Sequence, residues 1–211
     1  MTKLGAKSVN LWIADLSTRS GVEKLAEDLK AVEIDILFNN AGQLTGGLLE
    51  AQPLDDIYQM FQVNLNALVH LTRAMLPAMI RRGRGKIINN SSVSAFMHFP
   101  CASTYAASKA AVVAFTNCLE AELKGTGVST LCLITPGIKT RMFDEIEKKY
   151  GNNMEVPQET ISPVEYADKI RTAIESEQTQ LLPQGLTRVG LNISRYLSPL
   201  FRSAVQRRFK R

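Results

Sequence analysis

The chain has 211 residues, 45% hydrophobic and 21% charged, with a net charge of +5. This is the length and balance of one soluble globular domain with enough apolar residue to build a core, and no apolar run approaches the roughly 18 residues of a spanning helix. The positive charge is uneven: Arg188, Arg195, Arg202, Arg207, Arg208, Lys210 and Arg211 lie in residues 186–211 with no acidic residue, and removing those seven leaves 18 basic against 20 acidic residues. The near-neutral body argues against a nucleic-acid-binding domain, and the basic end leaves an anionic surface open as its partner.

The first predicted strand is Val9–Leu16, followed by a helix over Ser20–Val32 with apolar residues at Val22, Leu25, Ala26 and Leu29. Ile34–Asn40 reads as a strand running into Ala41-Gly42. Leu54–Arg82 reads as one long helix, with Pro53 near its start and Gly83 past its end. Lys86–Asn90 is a strand that enters Ser91-Ser92. Thr104–Lys124 is an Ala-rich helix, Val128–Thr135 a strand stopped by Pro136-Gly137, Val164–Glu175 a helix, and Gln180–Leu182 a last short strand. Strands alternating with helices predict an α/β fold, a mostly parallel sheet covered on both faces. Ligands of such sheets sit beyond the carboxyl ends of the strands. Asp15, Asn39-Asn40, Ser91-Ser92 and Pro136-Gly137 all fall at such ends.

The chemistry centres on Tyr105 and Lys109, four residues apart and so on one helix face. An ammonium beside a phenol favours the phenolate and is expected to lower the Tyr105 pKa. That suits proton transfer to or from a carbonyl oxygen near neutral pH. The cysteines, Cys101, Cys118 and Cys132, form no metal or C-x-x-C spacing and read as reduced thiols of a cytoplasmic protein. Met1–Lys7 lacks the apolar stretch of a secretory signal. His70 and His98 match no metal spacing, so no metal site is expected; His98 reads as pocket lining.

Five motifs in order resemble those of the classical short-chain dehydrogenase/reductase family. They are Asn39-Asn40-Ala41-Gly42, Asn64 within Phe61–Leu65, Ser92 thirteen positions before Tyr105, the Tyr105/Lys109 pair, and Pro136-Gly137-Ile138-Lys139-Thr140. Asp15-Leu16 resembles the family's acidic pair at adenine. The resemblance runs from about residue 8 to about residue 175. It implies a Rossmann-like three-layer sandwich and interconversion of a carbonyl and a secondary alcohol with NAD or NADP.

The catalytic residues it implies are Asn64, Ser92, Tyr105 and Lys109. Tyr105 is the general acid or base, Lys109 tunes it and holds the nicotinamide ribose, Ser92 donates to the substrate oxygen, and Asn64 holds a relay water. The cofactor-binding residues it implies are Asp15, Leu16, Asn39, Ala41, Gly42, Tyr105, Lys109, Pro136, Gly137, Ile138 and Thr140. The predicted long helix and the Thr104–Lys124 helix match the family's four-helix interface, which implies a homodimer or homotetramer.

The family's opening strand, glycine-rich turn and helix, which cradle the pyrophosphate, have no counterpart in residues 1–8. The first β-α-β-α portion is expected to be absent, through truncation or a rearranged sheet, and the polypeptide alone is expected to bind nicotinamide cofactor poorly. Residues 1–185 then form the domain and 186–211 a basic amphipathic tail. The apolar loop Val93–Cys101 reads as substrate-pocket lining and Arg141–Ser162 as a lid, which together predict an apolar or lipid-like substrate. The tail reads either as a peripheral membrane contact or as a helix folded on its own domain or a partner subunit. The alternative to an enzyme is a catalytically inactive remnant that binds a partner or a membrane; an apolar-ligand carrier is a third reading.

Overall fold

The computed structural model describes residues 6–140 and 160–209. In chain order, its elements begin with α1 (Arg19–Asp28), β1 (Ile36–Asn39), α2 (Leu54–Phe61), α3 (Ala67–Arg82), β2 (Gly85–Asn90) and α4 (Ser103–Glu122). They continue with β3 (Val128–Leu133), β4 (Gly137–Ile138), β5 (Thr160–Ile161), α5 (Pro163–Glu175), β6 (Gln180–Leu181), α6 (Gly185–Tyr196) and α7 (Ser198–Arg208). The predicted lid lies outside the described residues, except for its last three, which form β5 and the Ser162 cap of α5.

All four strands of the main sheet are parallel, in the order β1-β2-β3-β6. The register sets Asn39 beside Asn89 and Asn90 beside Leu133. One face packs on α3 and α4 through Leu37, Ile87, Met75, Met79, Leu119 and Leu123. The other face packs on α5, where Ile88, Leu131 and Leu133 meet Ile170, Ala173 and Ile174. Helices on both faces of a parallel sheet make the three-layer, Rossmann-like sandwich expected from the alternating pattern.

The predicted strand at Val9–Leu16 is not formed: residues 9–15 are irregular, with Leu11 82% and Ile13 88% exposed. A strand exists only where a neighbour completes its ladder, and among the described residues no strand lies beside this segment. The apolar spacing in the sequence is real but has no partner to act on. Leu16 alone packs inward, against Val22, Ala67 and Leu71.

The predicted helix over Leu54–Arg82 is continuous but not uniform. Residues Gln62–Asn66 between α2 and α3 form a π turn. Its end follows the prediction: Gly83 adopts φ +67° and closes α3 with bonds from its own N–H to Ile80 and from Arg84 to Met79.

Residues 186–209 do not hang free of the domain. Leu191 of α6 is fully buried among Ala95, Met97, Val113, Cys132 and Ile134, and Phe201 of α7 packs on the same cluster. Val93, Phe96 and Phe99 pack there too. The apolar side chains of the Val93–Cys101 loop, predicted to line a substrate pocket, therefore largely form core beneath α6 and α7.

Candidate active site

β2 ends in two serines that point to different tasks. Ladder bonds continue past the strand, from Ser91 N–H to the Leu133 carbonyl (2.9 Å) and from Val93 N–H to the Thr135 carbonyl (3.0 Å). The Ser91 hydroxyl is buried and donates to the Lys109 carbonyl (2.8 Å), which ties α4 to the strand. The Ser92 hydroxyl accepts from Ser94 N–H (3.2 Å) and lies close enough to the Tyr105 phenol to pull its pKa down. The thirteen-residue spacing thus brings Ser92, not Ser91, to the tyrosine.

Lys109 lies one turn along α4, 4% exposed, with its Nζ donating to the Asn90 carbonyl (3.0 Å). Nζ is 5.8 Å from the centroid of the Tyr105 ring. Burial pushes Lys109 down to about 8, a shift that the Cys132 thiol partly opposes. Burial also holds Tyr105 above the ordinary phenol value, while Ser92 pulls the other way. The expected lowering of Tyr105 by the ammonium is therefore not what dominates here. In a dry cleft the cost of forming phenolate outweighs a cation lying over the ring rather than at the hydroxyl.

Asn64 sits in the π turn and is 1% exposed. Its Oδ1 accepts from Gln43 N–H (2.8 Å), and its Nδ2 donates to the Gln43 carbonyl (2.9 Å) and the Ser108 hydroxyl (3.1 Å). Both amide hydrogens are engaged, so the side chain clamps the exit loop of β1 to α4. Gly42 completes this junction. A Cβ there would lie 3.3 Å from Asn64 Oδ1 and 3.5 Å from Lys109 Nζ. A side chain would press on Asn64 Oδ1 and fill the space in contact with Lys109 Nζ, so the glycine keeps open the space beside the lysine.

A chain of amides crosses the strand ends. Asn39 donates to Thr72 (3.1 Å) and Asn89 (2.9 Å), and Asn89 donates to Thr116 (3.0 Å). One residue on, Asn90 donates to Asn40 (2.9 Å) and accepts from the Thr135 hydroxyl (2.5 Å). Thr135 also meets the Tyr166 phenol (2.8 Å), which burial pushes up to about 12. Asn90, Gln43 and Ser108 are site residues that the motif reading omitted. The doubled Asn-Asn at the ends of two predicted strands was the available signal, since parallel register sets such pairs side by side.

The remaining predicted residues are placed less centrally. The exposed Asp15 carboxylate accepts from Ser17 N–H (2.9 Å), and this contact with Ser17 lowers its pKa. Asn39 is buried within the amide chain, and Ala41 is exposed beside Gly42. Pro136 follows β3; Gly137-Ile138 pairs with Thr160-Ile161 as β4 and β5; and the Thr140 hydroxyl donates to the Ile138 carbonyl (3.3 Å). His98 is exposed and lines a cavity of about 490 Å³ on the side of α4 away from Tyr105. Among the described residues no group of three His, Cys, Asp or Glu is arranged to hold a metal.

A parallel sheet with a serine, tyrosine, lysine and asparagine gathered at its carboxyl edge defines a class. The profile of the short chain dehydrogenase family matches residues 1–151, and the chain belongs to this short-chain dehydrogenase/reductase family. It is 32% identical over 170 residues to the uncharacterized oxidoreductase YusZ of Bacillus subtilis, an overlap of 80% of this chain and 59% of that protein. It is 32% identical over 166 residues to the 3-oxoacyl-[acyl-carrier-protein] reductase FabG of Haemophilus influenzae, covering 72% and 68% of the two chains. Among solved structures, the closed form of a serine dehydrogenase complexed with NADP+ superposes with a TM-score of 0.68 at 26% identity, covering 87% of this chain and 82% of that one. The chain spans about three-fifths of the length of the Bacillus relative.

Proposed function

We propose that the protein is an NAD(P)-dependent oxidoreductase that interconverts a carbonyl and a secondary alcohol. The observation that carries this reading is that the Ser92 hydroxyl and Lys109 Nζ are both brought to Tyr105, the serine acting on its phenol and the ammonium 5.8 Å from its ring centroid. The site's own residues fit one end of the cofactor. Lys109 Nζ has donors beyond its bond to Asn90, and Gly42 leaves space next to it. Lys109 and Tyr105 would hold the nicotinamide ribose, with Asn39, Ala41 and Gly42 at its edge and Pro136, Gly137, Ile138 and Thr140 opposite. Asp15 and Leu16 would lie toward the adenine. When bound, the nicotinamide supplies or accepts the hydride.

In reduction, the Tyr105 hydroxyl donates its proton to the carbonyl oxygen as negative charge gathers there. The raised phenol pKa keeps that proton in place at neutral pH. The Ser92 hydroxyl, already beside Tyr105, donates a second hydrogen bond to the same oxygen. Below about pH 8 the Lys109 ammonium stabilises the phenolate left behind. Asn64 fixes the loop that carries Gly42 and passes order through Ser108 to the tyrosine's own turn. Oxidation runs the same proton path backwards.

The substrate is read as a ketone or secondary alcohol of apolar character, with His98, Phe99 and Pro100 of the Val93–Cys101 loop lining a cavity and Val93 and Phe96 packed as core. A homodimer or homotetramer through α3 and α4 belongs to the same reading, as does a cytoplasmic protein with a membrane contact through residues 186–211. Fluorescence titration of NADH and NADPH, followed by reduction of a panel of ketones, tests it on this chain and on a polypeptide extended upstream. Tyr105→Phe is expected to lower kcat on the order of 10²- to 10⁴-fold with little change in KM. Unchanged turnover in that variant would refute the assignment.

A further inference from the structure

α6 and α7 carry more apolar surface than their docking uses. Along α6, Leu186, Val189, Ile193 and Tyr196 follow the i, i+3, i+7, i+10 spacing of one helix face. They are 78%, 54%, 37% and 79% exposed, and Leu197 and Leu200 continue the row at the junction with α7 at 51% and 63%. The inner side is what anchors the pair. Leu191 is fully buried, the Ser194 hydroxyl donates to the Phe96 carbonyl, the Arg195 guanidinium stacks 4.1 Å from the Phe96 ring centroid, and Phe201 meets Phe99 edge-on at 5.8 Å. The helices are therefore fixed by one side and present a second apolar side outward. A contiguous row of this kind marks an interaction surface.

Charge selects the partner. Residues 186–211 hold seven basic residues and no acidic one. On α7, Leu200, Ala204, Arg207 and Arg208 share a face at i, i+4, i+7 and i+8. No ion pair among the described residues engages Arg207 or Arg208. A second copy would set the same uncompensated cations against these across a two-fold axis. An anionic bilayer meets both requirements at once, with an apolar layer for the leucines and phosphates for the arginines.

We infer that the outer faces of α6 and α7 bind the surface of an anionic phospholipid bilayer, the apolar row below the headgroups and Arg207 and Arg208 among the phosphates. This deepens the membrane contact proposed for residues 186–211 and is independent of the redox reading. Because the same helices seat on Phe96 and Phe99, docking holds the segment that follows Ser92 close to lipid.

Co-sedimentation with vesicles of phosphatidylcholine alone, or mixed with phosphatidylglycerol, tests this. Wild type is expected to bind the mixed vesicles roughly tenfold or more tightly than the neutral ones, and less so as salt rises. A Val189→Ser/Ile193→Ser/Leu200→Ser variant should lose on the order of tenfold in binding at an unchanged melting temperature, since all three side chains are exposed. Arg207→Gln/Arg208→Gln should weaken binding and flatten its salt dependence. Tyr105→Phe should bind as wild type, which separates this result from any failure of the catalytic assignment. Absence of binding to the mixed vesicles, or binding that survives the triple variant, would overturn the inference. So would light scattering that shows a lipid-free oligomer dissociated by that variant, because the row would then be a self-association surface.

Discussion

β2 and β1 are neighbours in one parallel sheet, yet they live in different surroundings. Ile87 and Ile88 of β2 are both fully buried, one under α3 and α4, the other under α5. On β1, Leu37 faces the α3–α4 layer, but Ile36 and Phe38 remain 48% and 44% exposed. Phe38 is the register partner of Ile88. The layer formed by α5 thus covers β2, β3 and β6 and stops short of β1. Burial of a strand is a property of what lies above and below it, and the same β-rich composition is core in one position and surface in the next.

The largest test of this contrast is cavity formation in the covered strands. Ile88→Ala or Leu131→Ala should cost about 2–5 kcal/mol in urea unfolding, because both are fully buried. The join between the two strands should come next. Asn89→Leu removes the amide shared by Asn39 and Thr116 and is expected to cost about 1–3 kcal/mol by leaving buried polar groups unpaired.

A third test uses pH. Lys109 titrates at about 8 in the fold against an ordinary 10.5, so the native state releases its proton first. Stability should therefore rise as pH passes from about 8 toward 10.5, and Lys109→Met should abolish most of that rise. Lys86, opposite Ile36 at the edge, is lowered by burial as well and adds to the rise, while the buried Cys132 thiol, pushed up to about 11, opposes it above about pH 9, so the difference between wild type and Lys109→Met isolates the lysine. The smallest effect should be at β1 itself. Phe38→Ser should change stability by less than about 1 kcal/mol, and a loss as large as that of Ile88→Ala would mean that the edge is covered in solution.

The sequence was most legible where local pattern and surroundings agree. The β2 strand, the Ala-rich α4 and the order of Asn64, Ser92, Tyr105 and Lys109 could be read because strand end, helix period and spacing all point the same way. Val9–Leu16 was misread because its apolar spacing states a preference that only a neighbouring strand can fulfil. The loop Val93–Cys101 was half legible, because apolar side chains look alike whether they line a pocket or a core: His98, Phe99 and Pro100 line a cavity, while Val93, Phe96 and Met97 pack as core. Its destination depended on Leu191 and Phe201, about a hundred residues away in the chain. The Asn64 clamp was half legible: the residue stood out in a helix, but its hold on Gln43 depends on how the β1 exit loop returns.

The π turn at Gln62–Asn66 has a consequence for how this helix tolerates insertions and deletions. A π turn amounts to one residue more than an α-helix would need. Deleting a single residue there would let the helix run on as regular α-helix with both flanks kept in phase, whereas forcing the extra residue into α geometry would swing one flank by roughly 100° relative to the other. Met60 and Leu68, buried on either side of the turn, would both stay inward after the deletion, but not after the forced conversion. The irregularity works as a phase correction, and a shorter helix would be more regular but would aim its asparagine elsewhere.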